Sequence, residues 1–183
     1  FAAALTDSSV WRTSAKRSST DVYGFVPIGT NTSGYEFLGT FNGRDHVISG
    51  LRIDRKLQDY VGLFGTVHGT IRNIGLDGGS VTGKNYVGSL VGQQKSGTNN
   101  VIIAAYASTA VTGTGNYIGG LVGGQTVYSS ITNAYATGAV MGASYVGGLV
   151  GAQDGGGRII SAYATGAVKG SGSHVGGLVG MVG

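Results

Sequence analysis

The chain reads as an all-β protein: a β-solenoid of about 28-residue, three-strand coils behind an N-terminal β capping region. Three observations predict this. A glycine-leucine phrase recurs five times, at Val61-Gly62-Leu63-Phe64-Gly65, Val87-Gly88-Ser89-Leu90-Val91-Gly92, Ile118-Gly119-Gly120-Leu121-Val122-Gly123, Val146-Gly147-Gly148-Leu149-Val150-Gly151 and Val175-Gly176-Gly177-Leu178-Val179-Gly180, with starts 26, 31, 28 and 29 residues apart. A period in this range marks one small unit stacked on itself. Glycine supplies 37 of the 183 residues and is interleaved with Val, Leu and Ile, with a single proline and no Gly-X-Y period. That composition suits short strands and tight turns and excludes collagen. Finally, no segment runs ten residues with a helical period, which leaves strands as the repeating element.

Two zones divide the sequence, residues 1–59 as a non-repetitive lead-in and 60–183 as the repeat. The lead-in holds the only Trp (Trp11), the only Glu (Glu36) and the only Pro (Pro27). Within it, Phe25 to Gly29, Tyr35 to Phe41 and His46 to Ile53 read as strands, and alternation puts Val47, Ser49, Leu51 and Ile53 on one face. The stretches Asn31-Thr32-Ser33-Gly34 and Asn42-Gly43-Arg44-Asp45 carry turn residues. Tyr35 through Ile53 is expected to pair as a hairpin that covers the first rung.

Each repeat unit adds two further apolar segments to the phrase. One is Ile131-Thr132-Asn133-Ala134-Tyr135-Ala136, echoed at 102–107, at 159–164 and, less closely, at 71–76. The other is a short V-x-G ending at Val81, Val111, Val140 and Val168. Three short strands per coil, each paired with its copy in the next, would build a stack about 24 Å tall at the usual strand spacing. Solenoids need covered ends, because bare end coils expose strand edges and core. The lead-in can cover one end. Nothing after Gly180 can cover the other, so continuation of the chain or self-association through that end is expected.

Stacking turns equivalent residues into columns. Val61, Val87, Ile118, Val146 and Val175 form one, and Leu63, Leu90, Leu121, Leu149 and Leu178 another; both read as core. Alternation leaves both faces of the phrase apolar or bare, so burial on both sides is expected, under a loop or a neighbouring molecule. Asn73 and Asn133, with Ala104 and Ser161 in the same place, are expected to satisfy backbone groups at a turn. Tyrosines make two more columns: Tyr60, Tyr86, Tyr117 and Tyr145, followed by His174, and Tyr106, Tyr135 and Tyr163. These are the candidate binding residues, since each offers a flat apolar face and a polar tip. The same rows also read as ladders that only stabilise the stack.

Charge and composition exclude several classes. The net charge is +4, but seven of the twelve basic residues and six of the eight acids share the stretch before residue 60, and no basic stripe with stacking aromatics appears. Nucleic acid is therefore not an expected partner. With no cysteine there is neither a disulfide framework nor a thiolate metal site. No apolar run approaches the roughly 20 residues of a membrane span. Phe1 at the start and Gly183 just past a phrase read as cut ends.

The phrases resemble the GLUG repeat family, through Gly62-Leu63-Phe64-Gly65, Gly120-Leu121-Val122-Gly123, Gly148-Leu149-Val150-Gly151 and Gly177-Leu178-Val179-Gly180, with Ser89 replacing the extra preceding glycine in the second copy. The Asn-Ala-Tyr-Ala-Thr-Gly stretch at 133–138, its copy at 161–166 and the lead-in from Gly39 to Leu51 fit the same resemblance, which covers roughly 23–183. It implies an extracellular, β-rich segment of a secreted or cell-surface bacterial protein, as in filamentous-haemagglutinin-like adhesins and accessory regions of secreted immunoglobulin A proteases. It supplies no catalytic residues.

Catalysis is not expected. Past residue 60 the only acids are Asp77 and Asp154, so a glycosidase pair would have to come from Glu36, Asp45, Asp54 and Asp59. There is no HExxH and no GxGxxG, and the turns lack the repeated aspartate of calcium-binding nonapeptides. Asp45-His46 beside abundant serine permits a triad on paper, as in any chain this size, and Asn31-Thr32-Ser33 is a lone glycosylation sequon. No metal or cofactor is expected. The reading is an adhesin segment, a non-catalytic scaffold meeting a surface protein or glycan of a host or neighbouring cell. Two alternatives stand beside it: a spacer or substrate-docking module of a large secreted protease or polysaccharide-degrading enzyme, and a subunit of a self-assembling extracellular fibre.

Overall fold

β-branched residues and glycine at a fixed spacing let each strand hydrogen-bond to its own copy one coil away, and the chain does so throughout its described length. The computed structural model describes residues 24–97 and 100–183; Trp11 and the basic residues Arg12, Lys16 and Arg17 lie outside them. The first coil provides β1 (Thr40–Ser49) and β2 (Arg52–Asp54). The second provides β3 (Phe64–Val67), β4 (Thr70–Asp77) and β5 (Ser80–Gly83). The third contains β6 (Val91–Gln94), β7 (Val101–Ala107) and β8 (Ala110–Gly113). The fourth runs through β9 (Ile118–Gly119), β10 (Val122–Gln125), β11 (Ser130–Ala136) and β12 (Val140–Gly142). The fifth repeats this as β13 (Val146–Gly147), β14 (Val150–Gln153), β15 (Arg158–Ala164) and β16 (Val168–Gly170), and β17 (Val175–Gly176) and β18 (Val179–Val182) follow.

These strands form four parallel sheets along the stack. Sheet A is β2-β5-β8-β12-β16, sheet B is β3-β6-β10-β14-β18, and sheet C is β1-β4-β7-β11-β15. Sheet D, β9-β13-β17, is continued towards the start by single bridges from Ile118 to Val87 and from Val87 to Val61. The register is like on like: Ile71, Ile102, Ile131 and Ile159 align, as do Tyr106, Tyr135 and Tyr163. The fold is therefore the β-solenoid expected, with one refinement. The glycine-leucine phrase is bent across a corner, its Val-Gly half in sheet D and its second half in sheet B, so a coil has four faces.

Glycine at the bend has a steric reason. A Cβ on Gly123 would lie 2.5–2.6 Å from the backbone of Val87, Gly92 and Tyr86 in the coil before it, and one on Gly148 would fall on the Gly177 carbonyl oxygen and lie 2.8 Å from the Ala164 Cβ. Only a residue without a side chain lets the corner pass this close. The valine and leucine columns are fully buried from the second to the fifth coil. The whole phrase at 118–123 is buried with them, as two-sided burial predicted, inside the stack itself rather than under a loop. In the last coil the same columns are uncovered, Val175 at 44% and Leu178 at 36% exposure.

The lead-in departs from the expected hairpin. β1 and β2 do not pair with each other; each runs parallel to its copy in the next coil, as the first rung of sheets C and A. The Asn42-to-Asp45 stretch does not reverse the chain. Arg44 and Asp45 adopt left-handed φ values of 51° and 61°, and the register slips from Asn42 opposite Arg72 to His46 opposite Ile74. This is a bulge inside one strand. Gly50, at φ 68°, likewise breaks the alternation, so that Ile48, Leu51 and Ile53 are buried and Val47 is exposed. Phe25 to Gly29 and Tyr35 to Leu38 contribute single bridges rather than strands, Ile28 to Phe64 and Phe37 to Val67. The Phe37 and Phe41 rings lie 4.9 and 5.3 Å from the buried Phe64 ring.

One ion pair ties the lead-in to the repeat. Lys95 Nζ lies 2.8 Å from Glu36 Oε1, and the Gly34 amide donates to Glu36 Oε2 at 2.7 Å. The lysine bond, followed by the backbone donors, holds the Glu36 carboxyl down to about 2. A carboxylate held below its unfolded value stabilises the fold above that value, 4.5 here, and loses the contribution as pH falls towards about 2. Acid unfolding of the parent is thus expected to steepen in this window, and Glu36→Gln to flatten it. Thermal melts at stepped pH check this.

Candidate functional site

The two tyrosine columns are real ladders, and they differ. In the first, the ring centroids of Tyr60, Tyr86, Tyr117, Tyr145 and His174 are 4.9, 4.4, 4.8 and 4.8 Å apart, with planes within 18° of parallel. All five residues have left-handed backbone, φ 53–65°. That conformation costs an ordinary residue roughly 1–2 kcal/mol, and the neighbouring position offsets it. Asp59 Oδ1 accepts the Asn85 amide, Asn85 Oδ1 the Asn116 amide, Asn116 Oδ1 the Ser144 amide and Ser144 Oγ the Ser173 amide, at 2.8–3.2 Å. Each side chain thus clamps the next coil immediately before its aromatic residue.

Burial pushes the Tyr86 hydroxyl up to about 12, and the adjoining Tyr117 and Tyr60 phenols and Asp154 push the same way. Burial also raises Tyr60, with Asp59 adding to it. A phenol raised in the fold stabilises it up to the ordinary value of 10.0 and ceases to as pH climbs through about 12. Alkaline absorbance titration is expected to show a late tyrosine step, which Tyr86→Phe removes.

In the second ladder Tyr106, Tyr135 and Tyr163 stand on the outer side of sheet C, 5.0 and 4.9 Å apart and within 7° of parallel. Their positions follow from a bulge repeated in every coil. Asn73, Ala104, Asn133 and Ser161 all have φ of 50–55°, so two successive residues, such as Thr132 and Asn133, lie outward between inward ones, Ile131 and Ala134, and Tyr135 follows on the outer side. This column thus serves backbone geometry; the one side-chain bond within it runs from Asn73 Nδ2 to Asn42 Oδ1, 3.2 Å. Tyr106 lies over Gly75, where any Cβ would meet its ring. In both ladders the ring faces are used against one another. What they present outward is ring edges and hydroxyls, not the flat faces anticipated from sequence.

A further surface escaped the sequence reading. The coils differ in length mainly at the turn from sheet B to sheet C, which spans 68–69, 95–100, 126–129 and 154–157 in successive coils. Exposed His68, Tyr128 and Asp154 sit on these turns, Tyr128 at 70% exposure. Beneath them the buried amides of Gln94 and Gln125 hold the corner, each Nε2 donating to two backbone carbonyls: Asn100 and Ser130 for Gln94, Ser129 and Arg158 for Gln125. A shallow groove of about 470 Å³ opens beside His68, between Leu38–Thr40 and Gly97. The uneven spacing of the phrases was the signal for this corner, since its 31-residue interval contains the longest of these turns.

Among the described residues no three of His, Cys, Asp and Glu gather as a metal site, and no helix is long and apolar enough to cross a membrane. Glu36 is engaged by Lys95, Asp59 by Asn85 and Asp77 by the Ser108 hydroxyl.

The GLUG motif matches residues 114–141 and 142–169, and each match starts at the end of a sheet A strand and follows one coil round to the next strand of that sheet. These two coils are GLUG repeats. Over 123 residues it is 39% identical to "Halomucin" of Haloquadratum walsbyi, which covers 66% of this chain and 1% of that protein. Over 85 residues it is 36% identical to a "Putative Gly-rich membrane protein" of Evansella cellulosilytica, covering 44% of this chain and 10% of that one. Among solved structures, a "putative immunoglobulin A1 protease" from Bacteroides ovatus matches with a TM-score of 0.67 and 30% identity, over 78% of this chain and 46% of its own. The chain thus spans less than half of each of these relatives.

Proposed function

We propose that this chain is a non-catalytic segment of an exported surface protein, a scaffold for attachment to cells or matrix. The observation that carries the reading is the division between constant stack and variable corner. Four sheets keep like-on-like register while turn length changes at one edge, the arrangement in which a repeat protein carries its contacts. The corner turns and the outward edges of the two tyrosine ladders meet the partner, a surface protein or glycan. The names of the relatives, a mucin and a membrane protein, favour a surface setting.

A second reading has its own support: the likeness to the protein described as a putative immunoglobulin A1 protease favours a spacer or substrate-docking module in a larger enzyme. One experiment separates the two. The purified chain is applied to immobilised cells, matrix and immunoglobulin A1, beside a His68→Ala, Tyr128→Ala, Asp154→Ala variant. Attachment to cells or matrix that drops to background in the variant, with an unchanged melt, supports the scaffold. Binding to immunoglobulin A1 alone supports the docking module.

A further inference from the structure

We propose that the outer face of sheet C binds an extended, uncharged, β-linked glycan running along the stack axis, with Tyr106, Tyr135 and Tyr163 as its hydroxyl track. This rests on the attachment reading and names the ligand chemistry of one of its surfaces. The three rings repeat at 5.0 and 4.9 Å. Because they stack on one another, each contributes its edge and its hydroxyl. Among the described residues none of these three hydroxyls bonds to protein, so each keeps one donor and two acceptor positions.

A column of Ile103, Thr132 and Ile160 runs parallel to the track, its isoleucines 37% and 39% exposed, separated from it by the bulge. The strip therefore has an apolar rail beside a hydroxyl rail, matching the CH-rich face and OH-rich edge of an extended sugar chain. Charge narrows the class. Between Val101 and Ala107, Ser130 and Ala136, and Ile159 and Ala164 there is no ionisable side chain apart from the tyrosines themselves; two exposed cations border this strip, Arg158 at the start of β15 and Arg72, the register partner of Ile103 in the coil before. Between those two bordering arginines nothing on the strip repays the desolvation of an anionic polysaccharide or an acidic peptide. An extended β-linked chain advances by close to one strand spacing per sugar, so successive sugars meet successive tyrosines; a coiled α-linked glycan does not hold this register.

The test is affinity electrophoresis of the whole chain in gels containing hydroxyethyl cellulose, with glycogen gels as the α-linked comparison. Retardation by the cellulose derivative and not by glycogen is expected. It should persist at roughly 1 M salt, where charge interactions are screened within about 3 Å. The triple variant Tyr106→Phe, Tyr135→Phe, Tyr163→Phe keeps the stack but removes the track, and its affinity should fall about tenfold or more, three hydrogen bonds' worth. Thr132→Lys, at the strip's centre, should weaken binding as well.

The proposal is overturned if the chain is not retarded, if glycogen retards it equally, or if the triple variant binds like the parent. A concentration-dependent dimer that the triple variant abolishes also overturns it, by assigning the strip to a second copy. Cell and matrix attachment is scored on the same variants. Attachment that survives the triple variant leaves the scaffold standing while this proposal falls; glycan binding without attachment does the reverse.

Discussion

Gly148→Ala is expected to destabilise the chain by about 3 kcal/mol or more, whereas Gly177→Ala, one coil later in the same column, should cost little. The two glycines occupy the same place in the repeat. A Cβ at Gly148 would fall on the Gly177 carbonyl and against Ala164, while one at Gly177 meets nothing within 4 Å. The contrast removes propensity and turn chemistry from the comparison, because sequence neighbours and backbone are alike. What differs is the coil stacked on top. Backbone cannot rotate aside as a side chain can, so two coils of parallel hydrogen bonds must shift. Denaturant melts of both variants read the difference directly; equal costs would show that the corner glycines serve local conformation rather than close approach.

The second large effect is Leu121→Ala, expected to cost about 2–5 kcal/mol, the range for buried leucine truncations. Leu121 is fully buried between Leu90 and Leu149, its neighbours in the column. Leu178→Ala removes the same atoms from a side chain already 36% exposed and should cost well under half as much. In a stacked fold each coil meets only its neighbours, so damage at the middle of the column should also split the melt if the halves unfold separately. Calorimetry of the two variants checks both statements.

The repeat was legible because its signals were redundant. Val61, Val87, Ile118, Val146 and Val175 could be aligned by eye, and the sheets put them in line. The Ile131-to-Ala136 segment and its copies were read as strands and are strands. What could not be read was where the backbone leaves the regular path. Gly88 and Gly119 look like positions in one straight strand, yet their lack of a side chain is what allows a corner, and so a fourth sheet. Arg44 and Asp45 carried turn chemistry and form a bulge, because pairing with the next coil prevails over local reversal. The bulge at Asn73, Ala104, Asn133 and Ser161 has no common residue type, so only the register revealed it.

The site was legible in the same partial way. The tyrosine positions were apparent from spacing alone. Their orientation was not, since stacking face on face depends on the coil spacing, and it changes what the rows can offer a partner. The Asp59, Asn85, Asn116 and Ser144 clamp was hidden for the opposite reason: three different kinds of side chain perform one job, accepting an amide from the next coil.

Cysteine cross-linking tests the stacking most directly, because the chain has no cysteine of its own. Thr112 and Met141 are register partners in neighbouring strands of sheet A, and Cα atoms about one strand spacing apart lie within disulfide reach. A Thr112→Cys, Met141→Cys pair should oxidise rapidly and completely as a monomer, while Thr112→Cys with Ala139→Cys, displaced two residues back along the chain to the position just before β12, should not. Rapid closure of the displaced pair, or failure of the aligned one, would mean that like does not lie over like, and the ladders and their proposed ligand would go with it.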